Sequence, residues 1–599
     1  MTTTAAVFLR TLYQAGITHA FVNWGNDHPA LLEELERQRV GNDGNSDIRI
    51  VTCPNEMVAL SAAQGYAQVA GKPAAVIVHV DVGTQVRTYV AGAVHNVDKG
   101  RTPVLIFAGG APFSGQGELK GSKNEWPMWP QDVPDQAAIV RQYMRYTAQV
   151  LSGRIVGKLV MRALQFASSD PQGPTYLWAR REVMEEDLGP SASSLTLDVT
   201  KWPLVQPGAL DPIAVQSISV ALVKANFPLI ITAHAGRNPL TIPLLSALSH
   251  TLGIAVTTSC PSAVCLPYSH PHFLGTSFAG KNYLLEKADV ILILDTDVPW
   301  IDTNDNAPKQ GARVFVVDPD PLKQGMGWSH VDAELICRAD AEVALNQLYE
   351  AVQAPSMEDT RDFSAIAERA VQLKGMHDEY ISRLETLETS LAAGPISSVA
   401  NILATLRQAT IDLTPSQGQK TLWINEAISN YPAVFDHVRP DVPGSMICSG
   451  GTSLGYALGA AIGAQLGAEV AENVPELTVA VVGDGTFMFC VPSSAYWIAR
   501  RYETPFLTIV LNNGGWASPK NSMTGLHPSG HGSKASGARL SVGFGPDMPD
   551  YGQIAVAAGR AWARKIEERE SMKSIIEEAI KIVLEEKRCA VLDCIVESI

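Results

Sequence analysis

The feature that most limits what this chain can fold into is a recurrent unit. A short aliphatic or β-branched run ends in a Gly or polar turn and is followed by a helical pattern. Ala74–Val80, Pro103–Ala108, Pro228–Thr232, Val290–Leu294, Val314–Val317, Leu477–Val482 and Phe506–Leu511 are such runs. Strands this uniformly apolar are buried on both faces, as in parallel sheets covered by helices. The expected class is therefore α/β. With 599 residues the chain exceeds a single core, and it reads as three doubly wound parallel-sheet domains. Residues 1–190 form the first, ending at Gly189-Pro190 and a linker containing Ser191, Ser193 and Ser194. Residues 205–352 form the second. A charged, helix-rich segment, Met357–Leu391, leads to the third, residues 395–599, and the first and third blocks read as distant structural relatives.

Charge and cysteine content exclude several roles. A formal net charge of −15 gives no general basic face with which to displace counterions from nucleic acid or an anionic membrane. Eight cysteines without a Cys-x-x-Cys pair supply neither a disulfide framework nor a zinc site. Met1–Leu12 lacks the charged-then-apolar layout of a secretory leader, and no uncharged apolar run reaches about 18 residues. A cytoplasmic setting is expected.

The strongest chemical signal lies in the third block. The run Leu477–Val482 enters Gly483-Asp484-Gly485, and a second run, Phe506–Leu511, ends in Asn512-Asn513. A strand, a Gly-rich turn and a helix start let backbone N–H groups approach a diphosphate. The phosphates still need a cation. Magnesium takes hard oxygen ligands from one or two carboxylates plus phosphates, and the Asp484 carboxylate, the Asn513 amide oxygen and the Gly515 carbonyl could close such a shell. Gly-Asp-Gly alone is more often a hairpin turn; what raises the metal reading is the paired Asn-Asn at the end of the next strand, at a separation that resembles that of the thiamine diphosphate enzymes. The stretch from Gly483 to Asn513 resembles the diphosphate–magnesium motif of the thiamine diphosphate enzymes. That resemblance implies Asp484, Asn513 and Gly515 as metal ligands, and Gly483, Gly485, Thr486 and Trp516 as cofactor contacts.

Two further segments carry the resemblance. Asn55-Glu56-Met57-Val58-Ala59, followed by Ala62, Ala63 and Gly65, is similar to the pyrimidine-binding segment of that superfamily. There the acid, Glu56, would hydrogen-bond N1′ of the aminopyrimidine and promote loss of the thiazolium C2 proton. The plainer alternative for Glu56 is a helix-start acid facing the dipole. Gly450–Gly463 resembles the segment whose bulky residue, here Leu454, wedges between the two cofactor rings, with Gly451 and Thr452 beside it. The family also implies that Glu56 of one chain meets the diphosphate site of another, in a homodimer or homotetramer.

The reaction is less constrained. His79, in His79-Val80-Asp81-Val82-Gly83-Thr84-Gln85, stands where acetohydroxyacid synthases carry Gly-Pro-Gly, and the region is similar to benzoylformate decarboxylases, as is the NEAIS stretch Asn425–Ser429. A His at a strand end is often structural, yet an imidazole titrating near neutrality suits proton transfer. Gln131, beside Asp132, is a candidate for the same entrance. In the middle block the Arg-Phe-Asp-Asp run associated with flavin is replaced by Asp295–Trp300, so FAD is not expected. Ala235-Gly236-Arg237 could meet a nucleotide such as that of a CoA thioester, although a lone Gly-Arg is more often a loop. The Gly/Ser/His-rich segment 525–545 reads as a mobile lid, with His527 and His531 as candidate substrate contacts. Substrates would be 2-oxoacids or aldehydes. The expected enzyme is an acetolactate synthase-like carboligase or a 2-oxoacid decarboxylase. Its alternatives are a 2-hydroxyacyl(-CoA) lyase or oxalyl-CoA-type decarboxylase and, from another class, a non-catalytic cofactor-binding subunit.

Overall fold

The computed structural model describes residues 2–85, 89–190, 195, 197–278, 280–304, 306–327, 330–390 and 397–599. The linker serines 191, 193 and 194 and the expected boundary at 395 lie outside the described residues.

Three six-stranded sheets form, and every strand pair in them is parallel. The first contains β1 (His19–Val22), β2 (Arg49–Thr52), β3 (Ala74–Val78), β4 (Val104–Gly110), β5 (Tyr146–Val150) and β6 (Pro174–Arg180), in the order β2-β1-β3-β4-β6-β5. The second contains β7 (Pro228–Thr232), β8 (Ala255–Ser259), β9 (Phe273–Ser277), β10 (Val290–Leu294), β11 (Arg313–Asp318) and β12 (Leu335–Arg338), ordered β12-β11-β10-β7-β8-β9. This is the nucleotide-fold order, whose direction reverses between β7 and β10. The third contains β13 (Thr421–Glu426), β14 (Met446–Cys448), β15 (Leu477–Gly483), β16 (Leu507–Asn512), β17 (Trp562–Ile566) and β18 (Ala590–Ile595). Its order, β14-β13-β15-β16-β18-β17, repeats that of the first sheet strand for strand.

The central strands β3, β4, β10, β15 and β16 are the apolar runs of the sequence, and nearly all their side chains are buried. The run 74–80 is shorter as a strand than its hydrophobicity implies. β3 stops at Val78 because a helix starts at Asp81, which leaves His79 at the strand's open end. In the charged connector a short 3-10 helix, Pro355–Thr360, precedes one long helix, Phe363–Thr389, capped by Asp362. No helix among the described residues is long and apolar enough to cross a membrane.

Two helices join the first sheet to the third. Glu56–Ala70 follows β2, and Ala457–Val470 holds the equivalent place after β14. They cross at backbone distance because small residues face backbone. A Cβ on Gly65 would lie 2.3 Å from the Ala460 carbonyl oxygen, and one on Gly463 only 1.7 Å from that of Ala62. The apolar core of the first domain runs through this crossing into the third.

Candidate active site

Glu56 is the first residue of its helix, and Asn55 caps it by accepting from the Met57 N–H. The Glu56 side chain is buried at 7% exposure. Its Oε1 accepts from Asn23 Nδ2 at 2.9 Å, from the end of the neighbouring strand β1. Burial raises its pKa, opposed by the Glu56 N–H, Asn23 and the nearby His79. A carboxyl turned inward at a helix start and held there by Asn23 has a placement that complementing the dipole does not require.

His79 converges on the same place. A Cβ on Gly83 would stand 3.1 Å from His79 Cβ and 3.4 Å from Glu56 Oε1. Behind the imidazole sits Asp27, 4% exposed, which accepts from His79 Nδ1 through Oδ1 and from the Val80 N–H at 2.8 Å through Oδ2. Burial alone would lower the His79 pKa, but the hydrogen bond and charge of Asp27 outweigh it and the pKa is raised. Burial would raise that of Asp27, yet the charges of His28 and His79 and these two hydrogen bonds pull it down. The pair fits only because its neighbours lack side chains. A Cβ on Gly109 would meet Asp27 Oδ2 at 1.7 Å, and one on Gly25 would meet His79 Nδ1 at 1.8 Å. With Nδ1 committed to Asp27, Nε2 is the atom open to exchange, and Gln131 Nε2 lies 3.3 Å from it. Asp132 turns away to Lys123 and Arg180, 2.8 Å from each.

At the other corner, β15 runs into the short helix Asp484–Phe489. Asp484 is 2% exposed, and three backbone N–H groups point at it: Gly485 at 2.7 Å, and Gly514 and Gly515 at 2.8 Å each. Burial nevertheless pushes its pKa up to about 6, and among the described residues it has no ion pair. A buried carboxylate without a cation is what a metal site requires. Asn512 and Asn513 divide the remaining work. Asn512 is buried and donates to Asp593 at 2.8 Å, whereas the half-buried Asn513 accepts from the Gly515 N–H at 3.3 Å. Among the described residues no group of three or more His, Cys, Asp or Glu could hold a metal. One carboxylate, one amide oxygen and a carbonyl are instead the donor set suited to a magnesium that draws its other ligands from phosphates.

Trp516 lies across Gly485, where a Cβ would be 2.2 Å from its ring, and it meets Phe489 and Phe544 edge-on. Thr486 is buried one residue on. The expected lid is tied to this corner: Trp516 donates to Val542, Phe544 to Gly514 and Gly537 to Ile599. His527 and His531 are exposed on it. In the Gly450–Tyr456 loop, Asn96 brackets the Ser453 peptide, accepting from its N–H at 3.1 Å and donating to its carbonyl at 2.8 Å. His95 meets Thr452, Gly451 packs over Asn96, and Leu454 is left half-exposed. The structure thus gathers Glu56 with His79, and Gly483, Asp484, Gly485, Asn513, Gly515 and Trp516 with one another. Among the described residues no hydrogen bond or ion pair links the Glu56 cluster to the Asp484 cluster.

A separate cavity of about 460 Å³ opens where the second sheet reverses direction, bordered by residues of all three sheet domains. Arg101 of the first domain enters beside it and bonds Asp295 at 2.5 Å and Asp297 at 2.7 Å, with Asp318 at 3.4 Å. Lys323 joins Asp318 and Asp297. Arg237, the candidate nucleotide contact, bonds the Arg101 carbonyl and Asp295 instead.

A strand order shared by the first and third sheets, a nucleotide-fold sheet between them and a Gly-Asp-Gly corner beneath paired asparagines define the thiamine-dependent class of α/β enzymes. Residues 2–139 match the N-terminal binding domain of thiamine pyrophosphate enzymes, 215–348 their central domain and 428–594 their C-terminal binding domain. The chain belongs to the thiamine pyrophosphate enzyme family. It is 23% identical to a benzoylformate decarboxylase of Pseudomonas aeruginosa, over 86% of each chain. It is 22% identical to a 2-hydroxyacyl-CoA lyase of Saccharomyces cerevisiae, over 86% of this chain and 85% of that one. The crystal structure of benzoylformate decarboxylase from Polynucleobacter necessarius superposes with a TM-score of 0.76 at 19% identity, covering 100% of this chain and 99% of that one.

Sequence reasoning missed Asn23, Asp27 and Asn96. Asn23 and Asp27 follow β1, the strand beside β3, so sheet adjacency would have pointed to them. Asn96 leaves no local signal, because its partner is hundreds of positions away.

Proposed function

We propose that this chain is a thiamine diphosphate- and magnesium-dependent 2-oxoacid decarboxylase. It would act as a homodimer or homotetramer, with domains over 1–190, 205–352 and 395–599. The observation that carries the reading is the Asp27–His79 pair, a buried carboxylate behind a half-buried imidazole, with His79 and Glu56 both converging on Gly83. When bound, the cofactor supplies a nucleophilic carbon and an electron sink for a carbonyl carbon that loses carbon dioxide. Asp484, Asn513 and the Gly515 carbonyl would hold the magnesium. The N–H-rich turn at Gly483–Thr486 would face the diphosphate, and Glu56 would hold the pyrimidine. Trp516, with Phe489 and Phe544 edge-on to it, gives that corner an apolar wall. His79 holds a transferable proton at Nε2 and delivers it to carbon after carbon dioxide leaves; Asp27 keeps the ring in the orientation and charge state for that transfer. Gln131 faces the same nitrogen and lines the approach.

The test is incubation of the magnesium-loaded holoenzyme with a panel of 2-oxoacids, with and without aldehyde, and separation of products by mass. Aldehyde and carbon dioxide in equal amounts support the decarboxylase; acyloin as the main product favours the carboligase; consumption of no 2-oxoacid overturns the reading. Glu56→Gln should leave the cofactor bound while strongly reducing proton–deuterium exchange at its C2, and unchanged exchange removes Glu56 from the mechanism.

A further inference from the structure

The glutamate at the end of β13 has a place in the cofactor site that nothing above uses. Glu426 is 1% exposed and stands in register with Val482 on β15, two residues before Asp484. Its Oε1 accepts from the N–H groups of Gly455 at 2.7 Å and Tyr456 at 2.9 Å; its Oε2 accepts from Ala457 at 2.7 Å. Oε2 also receives the Cys490 thiol at 3.7 Å, from the turn that ends helix Asp484–Phe489. One carboxylate therefore ties the residues just after Leu454 to the strand and helix that carry Asp484.

The other side of Leu454 is tied as firmly. Asn96 pairs with both polar groups of the Ser453 peptide, and Gln64 donates to the Ser449 carbonyl at 2.8 Å. Gly455 makes the turn at φ +109°, and a Cβ there would lie 2.5 Å from Met57 Cε and 2.6 Å from the Phe489 carbonyl oxygen. The backbone on both sides of position 454 is thus fixed in three dimensions, and the Leu454 side chain projects half-exposed between the two anchors. A helix start needs one acceptor for its free N–H groups, commonly a local Ser, Thr, Asp or Asn. A fully desolvated carboxylate from another strand is an expensive substitute. What it adds over a local cap is a fixed distance between the Leu454 loop and the Asp484 turn.

We infer that Glu426 is a positioning residue of the cofactor site, setting the height of the Leu454 wedge above the diphosphate turn. The inference rests on the thiamine reading above and deepens it. Glu426→Gln keeps the volume but places an amide donor against one of the three N–H groups, so the clamp loses an anchor and the loop rises.

The experiment compares the wild type, Glu426→Gln, Leu454→Ala and the double variant. Amide exchange of residues 455–457 is followed in protein free of cofactor, and thiamine diphosphate affinity is measured calorimetrically with magnesium present. Expected in Glu426→Gln are exchange at 455–457 at least tenfold faster, with β15 unchanged, and cofactor affinity about tenfold weaker. Because the effect passes through Leu454, the double variant should bind within about twofold of Leu454→Ala, the non-additivity of coupled sites. Losses that multiply, or faster amide exchange with wild-type affinity, overturn the inference and leave a helix cap. If Glu426→Gln does not fold, Glu426→Asp, which withdraws the carboxylate by one methylene, is read by the same cycle. Wild-type protein that binds no thiamine diphosphate overturns the functional reading, and this inference with it; a wild type that binds normally beside additive variants overturns this inference alone.

Discussion

Gly463→Ala is the substitution whose cost follows most directly from the geometry. A methyl at that position stands 1.7 Å from the Ala62 carbonyl oxygen and 2.5 Å from its carbon. Ordinary contact begins at 3.4 Å, so the helices Glu56–Ala70 and Ala457–Val470 must part locally by about 1.7 Å. The obstacle is main chain inside a packed helix, and no rotamer change relieves it. Neighbouring contacts, such as Gly65 on Ala460 and Gly467 on Tyr66, resist the same displacement. Overpacking of this kind costs about 3 kcal/mol, which for units of this size lowers the melting midpoint by about 6–12 °C. Scanning calorimetry of the cofactor-free protein reads it, with Gly375→Ala as the control. Gly375 lies inside the helix Phe363–Thr389 with nothing within 4 Å of a built Cβ, so alanine there gains about 1 kcal/mol of helix propensity. If Gly463→Ala melts with the wild type, or above it like the control, the crossing is not tight and the argument fails.

Asp27→Asn should remove the charge that raises the His79 pKa, so the alkaline limb of the pH–rate profile moves to lower pH and the rate on that limb falls about tenfold or more; a superimposable profile would take Asp27 out of the proton path. The same variant tests linkage. The raised His79 pKa contributes stability that is complete below its ordinary value of 6.5 and is lost as pH rises through the folded value. The lowered Asp27 pKa contributes stability present above its ordinary 3.8 and lost as pH falls through the folded value. The stability difference between wild type and variant should therefore be greatest between these two ordinary values and shrink toward alkaline pH, as urea titrations across pH would show. Arg101→Leu leaves Asp295, Asp297 and Asp318 short of a buried cation, and should cost about 3–5 kcal/mol near neutrality. The pKa values of Asp295 and Asp297 are both held down in the folded chain against burial, so the stability they contribute is present above their ordinary 3.8 and is lost as pH falls through the folded values. The deficit should therefore narrow only below that ordinary value; a deficit unchanged down to the most acid pH at which both proteins still fold would contradict the assignment.

The parts of the fold that sequence revealed are those whose physics is local. β3, β4, β7, β10, β15 and β16 are buried on both faces and announce themselves as unbroken apolar runs. Edge strands do not: β17 reads Trp-Ala-Arg-Lys-Ile with two exposed residues, and β12 alternates half-buried with exposed. β14, with three residues, is too short to carry a pattern. Within the site, Glu56 and Asp484 were legible because each begins a helix after a strand, beside small residues that mark close approach. Asp27 was not, since its meaning depends on β1 lying next to β3. The role of Glu426 was equally hidden, because its partners at Gly455–Ala457 come from a loop that only the folded sheet brings to it.

The crossing of the two small-residue helices obeys a simple exchange rule. Gly65 faces Ala460, Gly463 faces Ala62, and the same sequence offset carries Gly65 onto Gly463 and Ala62 onto Ala460. Each helix presents to the other the surface that it receives, around an internal dyad relating two sheets of identical strand order. The chain therefore contains, in covalent form, the geometry of a symmetric pair. A bulky residue admitted on either partner violates the same contact, so both positions answer to one steric constraint although nearly four hundred residues separate them.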